Sequence, residues 1–137
     1  MMDWLDPLDA AMMTAEVLSR PLNIGAVLIL SPPADAGPGF VEELHRDALS
    51  GRDPVDPRLR RYPHRSLRTG GGWVWLEADT VDLSRHCQHR SLAPEGRRDD
   101  LWRLISRLHA EPLDRSRPLW MSYLIDGLDD GCFALYV

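Results

Sequence analysis

The run from Ile24 to Leu30 limits the fold of this chain more than any other stretch. Every residue in it is non-polar, and the run stops at Pro32 and Pro33. Side chains alternate between the two faces of a β-strand, so a strand formed here is apolar on both faces. This pattern is typical of a strand in a sheet that is covered on both sides. We therefore predict that Ile24–Leu30 is a central strand.

Apolar side chains at helical spacing predict three helices. The first begins at Asp6, whose carboxylate can accept hydrogen bonds from free amides, and at Pro7, which suits the first helical position. It ends before Pro21. The second runs from about Pro38 to Leu49, and four of its residues should face inward: Phe40, Val41, Leu44 and Ala48. The third follows Asp99 and Asp100 and ends before Pro112, with an apolar stripe of Leu101, Leu104, Ile105 and Leu108.

Further strands are predicted in the second half of the chain. Trp73–Leu76 should place both tryptophans on one face, and a weaker signal marks His86–Leu92. The end of the chain resembles a hairpin of Leu119–Ile125 and Cys132–Val137, joined by a connection over residues 127–131. The stretch from Arg52 to Gly72 is interpreted as an irregular excursion because three prolines interrupt it. The mixed order of helices and strands predicts a sheet with packed helices, in the α/β or α+β class.

Composition excludes several classes of protein. The 137 residues are 44% hydrophobic and 27% charged, which is the balance of one soluble domain. No uncharged apolar run approaches the ~20 residues that span a bilayer. The formal charge of −5 disfavours a nucleic-acid binder. We expect a cytoplasmic or peripheral location, free thiols at Cys87 and Cys132, and no lysine chemistry, since all sixteen cations are arginine.

Three motifs suggest a ligand, and for each the structural interpretation is favoured. His86, Cys87 and His89 are potential metal ligands, but positions 86 and 89 of a strand point to opposite faces. Residues 70–72 are three glycines that precede a strand, whereas phosphate loops lead into a helix. The arginine-rich stretch is interpreted as a solvated loop neutralised by acids, with an anionic head group or nucleotide phosphate as the alternative. Its residues are Arg58, Arg60, Arg61, Tyr62, His64, Arg65 and Arg68. No nucleophile has an evident base.

The segment Leu113–Trp120 reads Leu-Asp-Arg-Ser-Arg-Pro-Leu-Trp, and Tyr123–Leu128 and Gly131–Tyr136 follow it. These residues resemble the bacterial wax ester synthase/diacylglycerol acyltransferase family, which carries a Pro-Leu-Asp-Arg-x-Arg-Pro-Leu-Trp block. Earlier segments agree in order and spacing. They are Asp6–Ala10, Asn23–Ala26, Pro32–Asp35, Asp82–His86 and Leu92–Pro94.

The resemblance implies a fold similar to one half of chloramphenicol acetyltransferase, a two-layer sandwich with a mixed sheet and packed helices. It implies that acyl-CoA is a substrate, that no cofactor or metal is used, and that the acceptor is diacylglycerol or a long-chain alcohol. In the family, a His-His-x-x-x-Asp-Gly motif comes within a few residues of the strand that matches Phe133–Val137. Its second histidine acts as the general base. The resemblance therefore implies that no catalytic residue lies in this chain.

We accordingly expect residues 1–137 to be an incomplete amino-terminal acyltransferase domain, whose partner is the carboxy-terminal half of the same enzyme. The apolar strand at the end of the chain, which has no terminating residue, supports this expectation. A membrane or lipid-droplet surface is a further expected partner. The alternative is a non-catalytic binding or scaffolding module on a truncated acyltransferase fold.

One motif within the chain is a candidate for a role in the enzyme, either as a pinned turn or as part of a substrate channel. It consists of Asp114, Arg115, Arg117, Pro118, Leu119 and Trp120. An Asp-Arg pair can fix the turn, and the structural role, with Leu119 and Trp120 in the core, is the favoured one.

Overall fold

The computed structural model describes residues 3–137 and contains a mixed set of helices and strands, which confirms the predicted class. The strands are β1 (Asp3–Trp4), β2 (Val27–Leu30), β3 (Arg61–Ser66), β4 (Gly72–Glu77), β5 (Cys87–Gly96), β6 (Ser122–Leu128) and β7 (Phe133–Tyr136). The helices are α1 (Pro7–Leu18), α2 (Phe40–Leu49), α3 (Leu83–His86) and α4 (Arg98–Ala110). Short 3₁₀ turns at Pro57–Arg60 and Leu67–Thr69 flank β3.

The chain divides into two compact units that are interleaved in sequence. The first unit contains the residues up to Asn23, together with Val55–Val81 and Pro112–Trp120. The second unit contains Ile24–Pro54, Asp82–Glu111 and Met121–Val137.

The first unit is built on an antiparallel sheet in the order β1-β4-β3. Strand β4 confirms the strand predicted at Trp73–Leu76. Strand β3 corrects the interpretation of Arg52–Gly72 as an irregular excursion. Pro63 lies inside β3 opposite Trp75. Proline, which has no N–H, is tolerated here because β3 is an edge strand, and the amide groups on its outer side pair with no neighbouring strand in the part of the chain that the structure describes.

Helix α1 of the first unit begins as predicted. The Asp6 carboxylate accepts a hydrogen bond from the Leu8 N–H at 2.8 Å, and Pro7 occupies the first helical position. None of the residues of α1 is buried. Leu8, Val17 and Leu18 are largely exposed.

The second unit contains a mixed sheet in the order β2-β7-β6-β5, in which β5 and β6 are parallel and the other pairs are antiparallel. A cluster around the buried Leu101 and Ile105 of α4 covers one face of the sheet, and Tyr123 and Ile125 of β6 belong to it. A second cluster covers the other face and consists of Val41 of α2 with Leu124 and Phe133. The predicted stripe of α4 is thus confirmed, and strand β6 is covered on both faces.

The prediction that Ile24–Leu30 is a central strand was wrong. Strand β2 begins at Val27 and lies at the edge of the sheet, because among residues 3–137 it pairs with β7 alone. Val27 and Ile29 pack against the core, whereas Leu28 and Leu30 are 49% and 39% exposed. The apolar run therefore reflects one buried face and one face that stays open among the described residues.

Candidate functional site

The segment singled out from the sequence forms a turn that is fixed by Asp114. Its carboxylate accepts hydrogen bonds from the N–H and the hydroxyl of Ser116 at 2.9 and 2.7 Å. Arg117 Nε lies 2.8 Å from the other carboxylate oxygen. The two hydrogen bonds from Ser116, with the nearby charge of Arg117, hold the pKa of Asp114 below its usual range. The carboxylate therefore stays ionised at neutral pH.

Arg115 connects this turn to two other parts of the first unit. Its guanidinium donates hydrogen bonds to Glu16 Oε2 at 2.6 Å and to the Met13 carbonyl at 2.9 Å. It also lies 5.8 Å from the centre of the Trp73 ring. A single planar cation thus joins α1 and β4 to the turn.

The residues after Arg117 pack less deeply than expected. Pro118 is buried, but Leu119 and Trp120 are only partly buried rather than part of the core. The indole N–H of Trp120 donates a hydrogen bond to the Leu59 carbonyl at 2.8 Å. β6 begins at Ser122 and not at the predicted Leu119.

A groove of about 280 Å³ lies in the second unit between α2 and the sheet. It is lined by Leu44, His45, Asp47, Ala48, Cys87, Gln88, Ser122, Leu124 and Leu135. Val41 is buried as predicted, but Leu44 and Ala48 are exposed into this groove. The prediction that all of the apolar stripe of α2 faces inward was wrong for these two residues. The stripe loses contact with the sheet towards the carboxyl end of the helix.

Polar contacts hold the walls of the groove in place. His45 Nε2 lies 3.0 Å from the carbonyl oxygen of Cys87, which ties α2 to the start of β5. Burial raises the pKa of the Cys87 thiol, so the lining thiol stays protonated at neutral pH. Arg52 Nη2 lies 2.7 Å from the carboxylate of Asp47.

The histidines are placed differently from the strand that the sequence predicted. His86 ends the one-turn helix α3 and is buried, whereas His89 lies in β5 with its Nε2 2.9 Å from Asp126 Oδ2. The strand predicted at His86–Leu92 therefore begins one residue later and runs on to Gly96. The described residues contain no group of three or more His, Cys, Asp or Glu side chains arranged for a metal ion.

Acidic side chains pair with part of the arginine-rich stretch. Arg60 Nη2 lies 2.5 Å from Glu77, and Arg61 pairs with Asp3. Arg65 lies 5.1 Å from the centre of the Trp73 ring. Gly70 and Gly71 adopt positive φ angles of 65° and 86° in the turn that leads into β4, as the favoured interpretation of the glycines requires.

Within residues 3–137, no helix has the length and hydropathy needed to cross a bilayer.

Comparisons with known proteins agree over nearly the whole chain. Residues 5–137 match a family described as the wax ester synthase/diacylglycerol acyltransferase catalytic domain. A putative diacylglycerol O-acyltransferase of Mycobacterium bovis is 43% identical over 129 residues, which are 94% of this chain and 25% of that protein. A probable diacylglycerol O-acyltransferase of Mycobacterium tuberculosis is 37% identical in an alignment of 138 positions that covers 98% of this chain and 30% of that protein.

Two solved structures share the fold of this chain. The wax ester synthase/diacylglycerol acyltransferase from Marinobacter aquaeolei VT8 superposes with a TM-score of 0.89 and 30% identity, over 98% of this chain and 32% of that one. The first condensation domain of the calcium-dependent antibiotic synthetase has the same fold, with a TM-score of 0.67 and 17% identity over 99% of this chain and 33% of that one. The chain thus spans only about a quarter to a third of the proteins that it matches.

Proposed function

The chain belongs to the wax ester synthase/diacylglycerol acyltransferase family, and on that premise we propose that it is the amino-terminal part of an O-acyltransferase. The proposed enzyme moves a fatty acyl group from acyl-CoA to diacylglycerol or to a long-chain alcohol. The observation that carries the proposal is the continuous family match over residues 5–137. The alternative, a non-catalytic module, has no support in the comparisons.

The proposed reaction is a direct acyl transfer. The acceptor hydroxyl attacks the thioester carbonyl, the C–S bond breaks, an ester C–O bond forms, and CoA leaves as its thiol after taking up the proton. The general base is the second histidine of a His-His-x-x-x-Asp-Gly motif, which we expect shortly after Val137. Imidazole suits this role because its pKa lies near neutral pH, so it can accept and return the proton.

In this proposal, the residues from Asp114 to Trp120 support the channel by fixing a turn. The contacts of Asp114 with Ser116 and of Arg115 with Glu16 favour a structural role, because both charged groups are engaged by the protein itself. Substitution of these residues should therefore lower the free energy of unfolding more than it weakens substrate binding.

We further propose that the enzyme works from the cytoplasm on a lipid surface, either a membrane or a lipid droplet. Val17 and Leu18 support this, because they are adjacent at the end of α1 and both are largely exposed, and neighbouring exposed apolar side chains can form an interaction surface. Flotation of the full-length protein with phospholipid vesicles, compared with the variant Val17→Glu, tests this part of the proposal. Equal flotation of the two proteins would contradict it.

The experiment for the main proposal starts with the residues encoded after Val137. A His-His-x-x-x-Asp-Gly motif within a few positions is expected, and a stop codon there would favour the non-catalytic module. The extended protein is then incubated with palmitoyl-CoA and with either diacylglycerol or hexadecanol, and the lipids are separated. Formation of triacylglycerol or of wax ester identifies the acceptor, while absence of both would contradict the proposal.

A further inference from the structure

We propose that the groove between α2 and the sheet holds the hydrocarbon chain of a substrate, and that Ala48 sets how much of the chain fits. The chemical class of the ligand, a long unbranched alkyl or acyl chain, rests on the proposed function. The location and the limiting residue rest on the geometry of the second unit.

The groove exists because α2 packs closely only at its amino end. Phe40 and Phe133 meet with ring centres 5.9 Å apart, and Val41 is buried beside Leu124. One turn later, Leu44 no longer reaches the core and is 38% exposed. His45 Nε2 lies 3.0 Å from the Cys87 carbonyl oxygen, and this contact ties the helix to the start of β5 beside the gap.

The lining of the groove fits a neutral chain better than a charged group. Leu44, Ala48, Leu124 and Leu135 supply apolar surface on both walls. No arginine lines the groove, so no permanent cation faces an anionic ligand among the described residues. The one lining carboxylate, Asp47, is paired with Arg52. Removal of a hydrocarbon chain from water is the interaction that such a surface favours.

Ala48 is the smallest side chain on the helical wall of the groove. A leucine at this position would project three more carbon atoms into the space while keeping a good helix former. Leu135 lies on the opposite wall, two residues before Val137, after which we expect the catalytic motif. A chain in the groove would therefore lie beside the strand that leads to the base.

The two cysteines provide a direct test. Cys87 lines the groove and Cys132 does not, and both thiols are free. The rate of alkylation of each thiol is measured in the full-length protein by mass spectrometry of its peptides, with and without ligand. The ligands are dodecanol and S-dodecyl-CoA, a thioether that cannot transfer its chain. We expect alkylation of Cys87 to slow about tenfold when the ligand is present at about ten times its Kd. The rate at Cys132 should stay unchanged.

The pattern of protection also distinguishes the acceptor from the donor. Protection by dodecanol alone assigns the groove to the acceptor, protection by the thioether alone assigns it to the acyl donor, and protection by both assigns it to either chain. Unchanged alkylation of Cys87 with both ligands, or equal slowing of both thiols, would overturn the proposal.

Two variants make the test specific for Ala48. Ala48→Leu should abolish the protection of Cys87 by ligand, whereas Ala11→Leu, the same change at an exposed position of α1, should leave it intact. Thermal melting of both variants confirms that they fold. Full protection in folded Ala48→Leu would refute the role of this residue. Because thiol protection requires no catalysis, an inactive enzyme with a protected Cys87 contradicts the proposed function but not this inference.

Discussion

The guanidinium of Arg115 donates a hydrogen bond of 2.6 Å to the carboxylate of Glu16, and both side chains are mostly buried. Burial alone would raise the pKa of Glu16. Hydrogen bonds from Arg115 and from the Leu22 N–H, together with the charge of Arg115, outweigh it and hold the pKa below its usual value. A group with a lowered pKa in the folded state stabilises the fold above its unfolded pKa and loses this contribution as the pH falls through the folded pKa.

Glu16→Gln should therefore reduce the free energy of unfolding by about 1–3 kcal/mol at neutral pH, since it leaves a buried cation with a weaker partner. The difference between the wild type and this variant should shrink as the pH falls below about 5, because the unfolded chain takes up the proton near the ordinary glutamate pKa and folded Glu16 takes it up only at lower pH. Urea unfolding across this range measures it. A difference that does not change with pH would contradict the ion pair. Glu42→Gln, on the exposed side of α2, serves as the control.

Two variants of Trp120 separate the contribution of its packing to stability from the contribution of its hydrogen bond. Trp120→Ala should lower the free energy of unfolding by about 3 kcal/mol, at the lower end of the range for aromatic residues because the side chain is only partly buried. Trp120→Phe keeps a ring but loses the hydrogen bond to Leu59, and should cost about 1 kcal/mol. Thermal melting combined with acyl-CoA turnover checks this. If melting were unchanged while turnover collapsed, Trp120 would contact substrate instead.

Gly25 lies against the ring of Tyr136. A Cβ atom at position 25 would approach Cε2 of this ring to 2.7 Å and its hydroxyl to 2.8 Å. The ring has little room to move, because it stacks on Tyr123 and its hydroxyl lies 2.7 Å from His109 Nδ1. Gly25→Ala should therefore lower the free energy of unfolding by about 1–3 kcal/mol.

Gly37 provides the matched control, since a Cβ atom there meets no atom within 4 Å. Gly37→Ala should leave the midpoint of chemical unfolding nearly unchanged. Equal effects of the two substitutions would show that Tyr136 does not restrict position 25.

Local signals in the sequence predicted the elements that depend on local physics. Asp6 and Pro7 set the start of α1, and the stripe that contains Leu101 and Ile105 predicted α4 and its buried face. Which strands lie next to each other in a sheet was harder to predict. The position of β2 at the edge of its sheet depends on which strand lies beside it, and the apolar run of one segment carries no such information.

In the candidate site, too, local signals could be predicted and the packing of one element on another could not. Asp114 to Trp120 could be found from the sequence by resemblance to a known block. The groove could not, because the spacing of Val41, Leu44 and Ala48 predicts one continuous inward stripe. Only the placement of α2 on the sheet separates the buried residue from the two that line a groove.

The central claim is that this chain forms part of the substrate site of an acyltransferase, and that the general base of the reaction lies outside residues 1–137. The most direct test is the release of free CoA from palmitoyl-CoA in the presence of diacylglycerol or hexadecanol, measured for residues 1–137 and for the protein extended through the expected motif. We predict release by the extended protein only, and its loss when the second histidine of the motif is replaced by alanine. Release by residues 1–137 alone would contradict the account.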